Sequence, residues 1–270
     1  MEPHTCYVIC AVQRSGSFLL CEALKNTGLA GVPEEYFLCE EQGRWEDEDD
    51  WWNRHYRVTS RDEYLRKVFE VGTTPNGVFG VKIMWNYFPY MLRNLRELPE
   101  YAGLETPELM KRLFSNPKYI WITRQDKVRQ AVSWAKAGQT GVYAWGKGEV
   151  LPPQEPKFDF AFINNMHELI LEGEAGWANF FEACGIKPFK VIYEEFVEAY
   201  EQTALDILDY LSVPYPENLV FGERKLQKQA DLLNGKWVEK YIQIKQEQRL
   251  PFWLVTLKSV FKKIKNERLS

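Results

Sequence analysis

The chain is 270 residues long, with 45% hydrophobic, 27% charged and 15% aromatic residues. That balance suits one large globular domain or two small ones, and it excludes disordered, collagen-like and coiled-coil chains. Lys and Arg number 34 against 38 Asp and Glu, a formal net charge of −4, which counts against a protein whose main partner is nucleic acid.

The first residues, MEPHTCYVICAV, carry neither a basic n-region nor a long apolar h-region, and no segment approaches the ~18 consecutive apolar residues of a spanning helix. A cytosolic protein is the expectation. The run Tyr7–Val12 is apolar and β-branched and predicts a buried strand. After Gln13-Arg14-Ser15-Gly16-Ser17 the apolar spacing turns helical from Phe18, with Gly28 as a stop. Further buried strands are predicted at Val78–Trp85, behind the turn Pro75-Asn76-Gly77, at Tyr119–Thr123 and at Phe189–Tyr193. Helices are predicted at Asp62–Val71, from Arg124-Gln125-Asp126 through Ala137, and at Phe160–Cys184, Glu195–Leu211 and Lys225–Gln243. Apolar strands alternating with helices imply an α/β fold with a parallel sheet covered on both faces. No linker rich in Gly, Pro or Ser divides the chain, so residues 1–270 read as a single domain.

Cys6, Cys10, Cys21, Cys39 and Cys184 form no Cys-x-x-Cys and read as small buried hydrophobes of a reducing compartment. His4, His55 and His167 share no ligand spacing, so no metal is expected. The acidic run Glu46–Asp50, between Trp45 and Trp51-Trp52, reads as a solvated loop. The segment 252–270 sets Phe252, Trp253, Leu257 and Phe261 among Lys258, Lys262, Lys263 and Lys265. It is a basic amphipathic stretch that suits docking on its own domain, a twin subunit or a membrane surface.

Three segments carry chemistry. A strand, then Gln13–Ser17, then a helix turns backbone N–H groups toward one point at the positive end of a helix dipole. Gly16 permits close approach of an anion, Ser15 and Ser17 add hydroxyls, and Arg14 adds a charged fork suited to phosphate or sulfate oxygens. The Gly-Lys-Ser/Thr ending of a nucleoside triphosphatase loop, which would place a hydroxyl on Mg²⁺, is absent. The second segment, YIWITR, ends a buried strand on Arg124, where open α/β sheets hold ligands. Ser133 follows nine residues on, about two and a half helical turns, so the two share a ligand only if the connection folds back. The third, Val32-Pro33-Glu34-Glu35-Tyr36-Phe37, offers two carboxylates, either of which could serve as a base. Lys82, inside an apolar strand, must either approach a transferring group or pair with a carboxylate.

The stretch YVICAVQRSGSFLLCEALKNTGLAGVPEEYF, together with Thr74–Trp85 (TPNGVFGVKIMW), Thr123–Gly141 (TRQDKVRQAVSWAKAGQTG) and Gln229–Tyr241 (QADLLNGKWVEKY), resembles the bacterial trehalose 2-sulfotransferase family. The blocks keep the family's order over most of the chain. The resemblance implies a P-loop-related, three-layer α/β fold and the donor 3′-phosphoadenylyl sulfate. It implies that Arg14, Ser15, Gly16, Ser17 and the backbone of Phe18 take the 5′-phosphosulfate, and that Arg124 and Ser133 take the 3′-phosphate. Phe18 departs from the Thr common in the family, so only its N–H serves. Glu35 aligns with the family's catalytic glutamate, while Gln13, Tyr36, Phe37, Trp51 and Trp52 fall where the family contacts its sugar. A homodimer is also implied.

The reading is therefore a metal-independent sulfotransferase acting on a carbohydrate or glycolipid hydroxyl, with Glu35 as general base and Lys82 in the acceptor site, and with no nucleic-acid partner. Two rivals are a magnesium-dependent phosphotransferase and a non-catalytic sugar- or nucleotide-binding module.

Overall fold

A computed structural model describes residues 3–38, 57–142, 155–226 and 232–249. Four parallel strands form its sheet: β1 (Thr5–Ala11), β2 (Val78–Met84), β3 (Lys118–Thr123) and β4 (Phe189–Ile192), in the order β2-β1-β3-β4. Ile9 sits opposite Lys82 on one side, and Cys10 opposite Trp121 on the other. All seven residues of β2 are buried, as are Cys6–Ala11 of β1, which is why both read as apolar runs, interrupted in β2 only by Lys82.

Side chains alternate across the sheet and feed two cores. Tyr7, Ile9 and Ala11 pack with α1 (Ser17–Asn26) on one face. Cys6, Val8 and Cys10 face the other, against α2 (Arg61–Gly72), α3 (Phe88–Arg96), α4 (Thr106–Phe114), α5 (Lys127–Thr140) and α6 (Phe160–Ala183). The first core is completed by α7 (Tyr193–Glu198) and α8 (Tyr200–Leu211), while α9 (Leu232–Arg249) lies along α5 and α6. The result is the expected three-layer α/β arrangement. Among the described residues no helix is long and apolar enough to cross a membrane.

Local chemistry sets several boundaries. Ser60 accepts from the Glu63 N–H, and Glu63 returns the contact to the Thr59 N–H at 2.7 Å, a reciprocal cap that opens α2. Asp126 caps α5 through the Arg129 N–H at 2.8 Å, and Asp159 caps α6 through the Phe162 N–H at 3.0 Å. The helix expected to end at Ala137 runs on to Thr140, where Gly141 closes it with φ 73°.

Other expectations change. The single helix predicted at Glu195–Leu211 starts at Tyr193 and breaks at Ala199 (φ −123°, ψ 47°). Phe196, Ala204, Ile207, Leu208 and Leu211 keep an unbroken helical spacing across the break, so periodicity could not reveal it. Lys225 and Leu226, expected to open the last helix, lie outside any helix, their N–H groups held by Glu22 of α1 at 2.8 and 3.0 Å, and the helix is described from Leu232. Helices α3 and α4 were not anticipated, although Phe88, Met91, Leu92 and Leu95 are spaced as one buried helical face. Cys6, Cys10 and Cys21 are buried as expected, and Cys184 is half-buried. Cys39, His55, the acidic run Glu46–Asp50, Trp51, Trp52 and the 252–270 segment lie outside the described residues.

Candidate active site

From β1 the chain goes first to β2 on one side and then to β3 on the other, so β1 and β3 flank the point where the winding reverses. Crevices at the carboxyl ends of such strands hold ligands in open α/β sheets. The Gln13–Gly16 turn follows β1 and Arg124 follows β3, which puts both anion-directed segments at that point.

The turn is tight. Arg14 (φ 62°) and Gly16 (φ 94°) both lie in the left-handed region, and the Ser15 N–H closes on the Val12 carbonyl at 3.2 Å. Gly16 is required twice over: by its φ, and because a Cβ there would stand 2.2 Å from Cδ2 of Tyr193. As N-cap of α1 it brings no side chain to its first amides, which remain for an anion at the positive end of the helix. The Ser15 hydroxyl is buried and has no hydrogen-bond partner among the described residues. It is an unspent donor of the kind an anion-binding turn uses. Ser17 is also buried, whereas Phe18 is exposed.

Neighbouring elements brace the turn. The Gln13 carbonyl accepts from the buried Gln130 amide of α5 at 2.7 Å, and the Gln13 amide donates to Asn86 Oδ1. Arg14 Nε donates to Ser133 Oγ at 3.0 Å. That contact ties the turn after β1 to α5, the helix that follows Arg124.

The two adjacent carboxylates of the third segment diverge. Glu34 pairs with Lys25, in the last turn of α1, at 2.5 Å. Glu35 Oε1 lies 2.7 Å from Lys82 Nζ, and that ammonium is 3.4 Å from the centroid of the Phe18 ring, in the first turn of α1. The segment is held against β2 by the Lys82 N–H donating to the Glu34 carbonyl at 3.0 Å. Of the two alternatives for Lys82, it takes the carboxylate partner, and that partner is Glu35 rather than Glu34. A cation confined between a carboxylate and a ring face keeps the charge of a fully buried lysine compensated.

Tyr36 and Phe37 sit in the core. The Tyr36 hydroxyl donates to the Val32 carbonyl at 2.6 Å, and the Phe37 ring meets Phe114 edge-on at 5.8 Å. At 1% and 2% exposure they support the Glu35 segment from beneath and offer no surface to a ligand.

Sequence reasoning missed two groups here. Tyr193, the first residue of α7, packs its ring on Gly16 and carries the Arg124 guanidinium 4.8 Å from its centroid. Glu174 on α6 accepts from the Thr123 hydroxyl at 2.5 Å and pairs with Lys127 at 2.6 Å, fixing the end of β3 to the start of α5. Tyr193 was expected as the last residue of a buried strand, whereas β4 ends at Ile192 with only Val191 buried and Tyr193 opens α7; Glu174, in mid-helix, gave no signal.

Two curated relatives are similar over nearly their whole length. The trehalose 2-sulfotransferase of Mycolicibacterium smegmatis is 29% identical, with 93% of this chain and 100% of that protein covered. The trehalose 2-sulfotransferase of Mycobacterium tuberculosis is 26% identical, covering 87% of this chain and 93% of that one. Among solved structures, a sulfotransferase from Alicyclobacillus acidocaldarius superposes with a TM-score of 0.48 at 12% identity, covering 89% of this chain and 91% of that chain. The family model for the Stf0 sulphotransferases matches residues 6–243, most of the chain, and the protein therefore belongs to that family and is a sulfotransferase.

Proposed function

We propose that the protein moves a sulfuryl group from 3′-phosphoadenylyl sulfate to a carbohydrate hydroxyl, with Glu35 as general base. One observation carries this reading. Glu35 Oε1 is 2.7 Å from Lys82 Nζ, which lies against the Phe18 ring at 3.4 Å, so the carboxylate stands beside the turn that suits an anionic donor.

In this reading the 5′-phosphosulfate meets Arg14 and the first amides of α1, from Gly16 through Ser17 and Phe18, with Ser15 as a further hydroxyl donor. Arg124 and Ser133 take the 3′-phosphate. The acceptor oxygen bonds to sulfur, the bond from sulfur to the 5′-phosphate oxygen breaks, and Glu35 receives the hydroxyl proton. Adenosine 3′,5′-bisphosphate leaves. Lys82 orients Glu35 and supplies fixed positive charge near the reacting group. No metal enters, since the turn lacks the Gly-Lys-Ser/Thr ending that holds Mg²⁺ on phosphates. The names of the two curated relatives favour a sugar acceptor of the trehalose class. Gln13 can bind sugar hydroxyls, with Trp51 and Trp52 as candidate faces for the sugar's C–H surface.

The test is transfer of ³⁵S from labelled 3′-phosphoadenylyl sulfate to trehalose and a panel of other sugars, in EDTA. Label on a sugar is expected. Donor binding with no transfer to any sugar would overturn the carbohydrate acceptor, and transfer abolished by EDTA would overturn the metal-free chemistry.

A further inference from the structure

We infer that Glu194 is a positioning residue for recognition of the donor's 3′-phosphate: it sets Arg124 with its terminal fork left open. The inference rests on the assignment of Arg124 to that phosphate made above.

Glu194 is one of three acidic residues in the short helix α7, where a carboxylate in the first turn ordinarily does no more than complement the helix dipole. Here it reaches across to the end of β3. Its Oε2 accepts from the Gln125 N–H at 2.9 Å, its Oε1 accepts from the Asp126 N–H at 3.3 Å, and Oε1 stands 3.7 Å from Arg124 Nε. One carboxylate thus staples the Arg124–Asp126 bend and flanks the guanidinium that grows from it.

Arg124 is held from a second direction by the Tyr193 ring, 4.8 Å from its guanidinium carbon. Its Nε is shielded from solvent and has no hydrogen-bond partner among the described residues, the 3.7 Å approach of Glu194 being electrostatic. Burial pushes the Arg124 pKa down, and Tyr193 and Glu194 push back, so the site has to stabilise the charge it shields. Among the described residues no acceptor bonds to the two terminal nitrogens. A guanidinium fixed at its face and its Nε edge, with its outer fork unspent, is preorganised for an oxyanion that takes two parallel N–H bonds.

The same staple governs Ser133. That residue rides on α5, which starts at Lys127 directly after the stapled bend, and its hydroxyl is already aligned by Arg14 Nε at 3.0 Å. Because the hydrogen bonds of Glu194 go to main-chain amides, they do not consume the Arg124 fork; the carboxylate acts behind the phosphate site rather than in it.

The experiment is calorimetric titration of the full chain with adenosine 3′,5′-bisphosphate and with adenosine 5′-monophosphate. The ratio of the two affinities isolates what the 3′-phosphate contributes. Arg124→Ala is expected to lower the ratio by roughly 10- to 100-fold, the loss of charge-assisted hydrogen bonds. Glu194→Gln is expected to lower it by roughly 3- to 10-fold while the monophosphate affinity stays within about twofold, since orientation and not contact is lost. In the Arg124→Ala background Glu194→Gln should change the ratio no further. Equal weakening of both nucleotides would reduce Glu194 to a structural residue, and a ratio that is unchanged or raised would overturn the inference outright. A ratio untouched by Arg124→Ala would overturn the phosphate assignment itself, and the inference with it. Melting temperatures are recorded for each variant, and if Glu194→Gln fails to fold, Glu194→Asp, which keeps the charge but shortens its reach, is read by the same ratio.

Discussion

The Glu35 carboxylate lies 2.7 Å from the ammonium of Lys82, a fully buried lysine in the middle of an otherwise apolar strand. Each residue accounts for the other. The lysine is tolerated in the core because the carboxylate and the Phe18 ring compensate its charge, and the carboxylate is held near the first turn of α1 by that buried ammonium.

Glu35→Gln keeps a hydrogen-bond acceptor for Lys82 but has no basicity. Turnover should fall by about 10²–10⁴-fold, the usual contribution of a positioned general base. Binding of adenosine 3′,5′-bisphosphate should stay within about threefold. Steady-state sulfation and calorimetry measure the two, and unchanged turnover would remove Glu35 from the mechanism.

Lys82→Met removes the ammonium that stands 2.7 Å from the Glu35 carboxylate. Glu35 keeps 18% side-chain exposure, so the expected loss is about 1–3 kcal/mol, less than for a wholly buried pair. Adding Glu35→Gln to Lys82→Met should recover most of that loss in urea denaturation. Strictly additive losses would mean that the pair is not coupled.

Gly16→Ala meets two obstacles, the positive φ of 94° and the Tyr193 ring 2.2 Å from the new Cβ. Nucleotide binding should weaken more than about tenfold and stability should drop by about 1–3 kcal/mol. Adding Tyr193→Ala removes the clash but not the strain, so it should restore stability only in part. Thermal melts and titration follow both effects.

The buried thiols should be inert. Burial pushes Cys6 up to about 11 and Cys21 up to about 12, and it raises Cys10 well above the ordinary 9.0. At pH 7.5 fewer than about one in a thousand of the Cys6 and Cys21 groups is thiolate, so iodoacetamide should label them, and Cys10 with them, only in denaturant, as read by mass spectrometry. The sign for stability follows from ionisation being easier in the unfolded chain. The contribution is complete below pH 9 and is lost as pH rises from about 9 through about 11.

The sequence by itself determined the elements whose signal is local. The apolar runs at β1 and β2 and the strand–turn–helix around Gly16 are each decided within a few residues, by burial on both faces or by a backbone that only glycine adopts readily. The family resemblance likewise rested on contiguous blocks. Tertiary structure decided everything that depends on which element covers which. Spacing alone left Lys82 with two possible roles and Glu34 and Glu35 interchangeable; packing of the 31–37 segment against β2 sent one carboxylate to Lys25 and the other to Lys82. Tyr36 and Phe37 read as sugar-facing rings, yet the same packing put them in the core. The contacts Arg14–Ser133 and Glu194–Arg124 join β1, β3 and β4 through crossovers, and no periodicity encodes them. A hydrophobic pattern reports that a face must be buried; the partner that buries it is chosen by strand order and by the contacts that close once the layers meet.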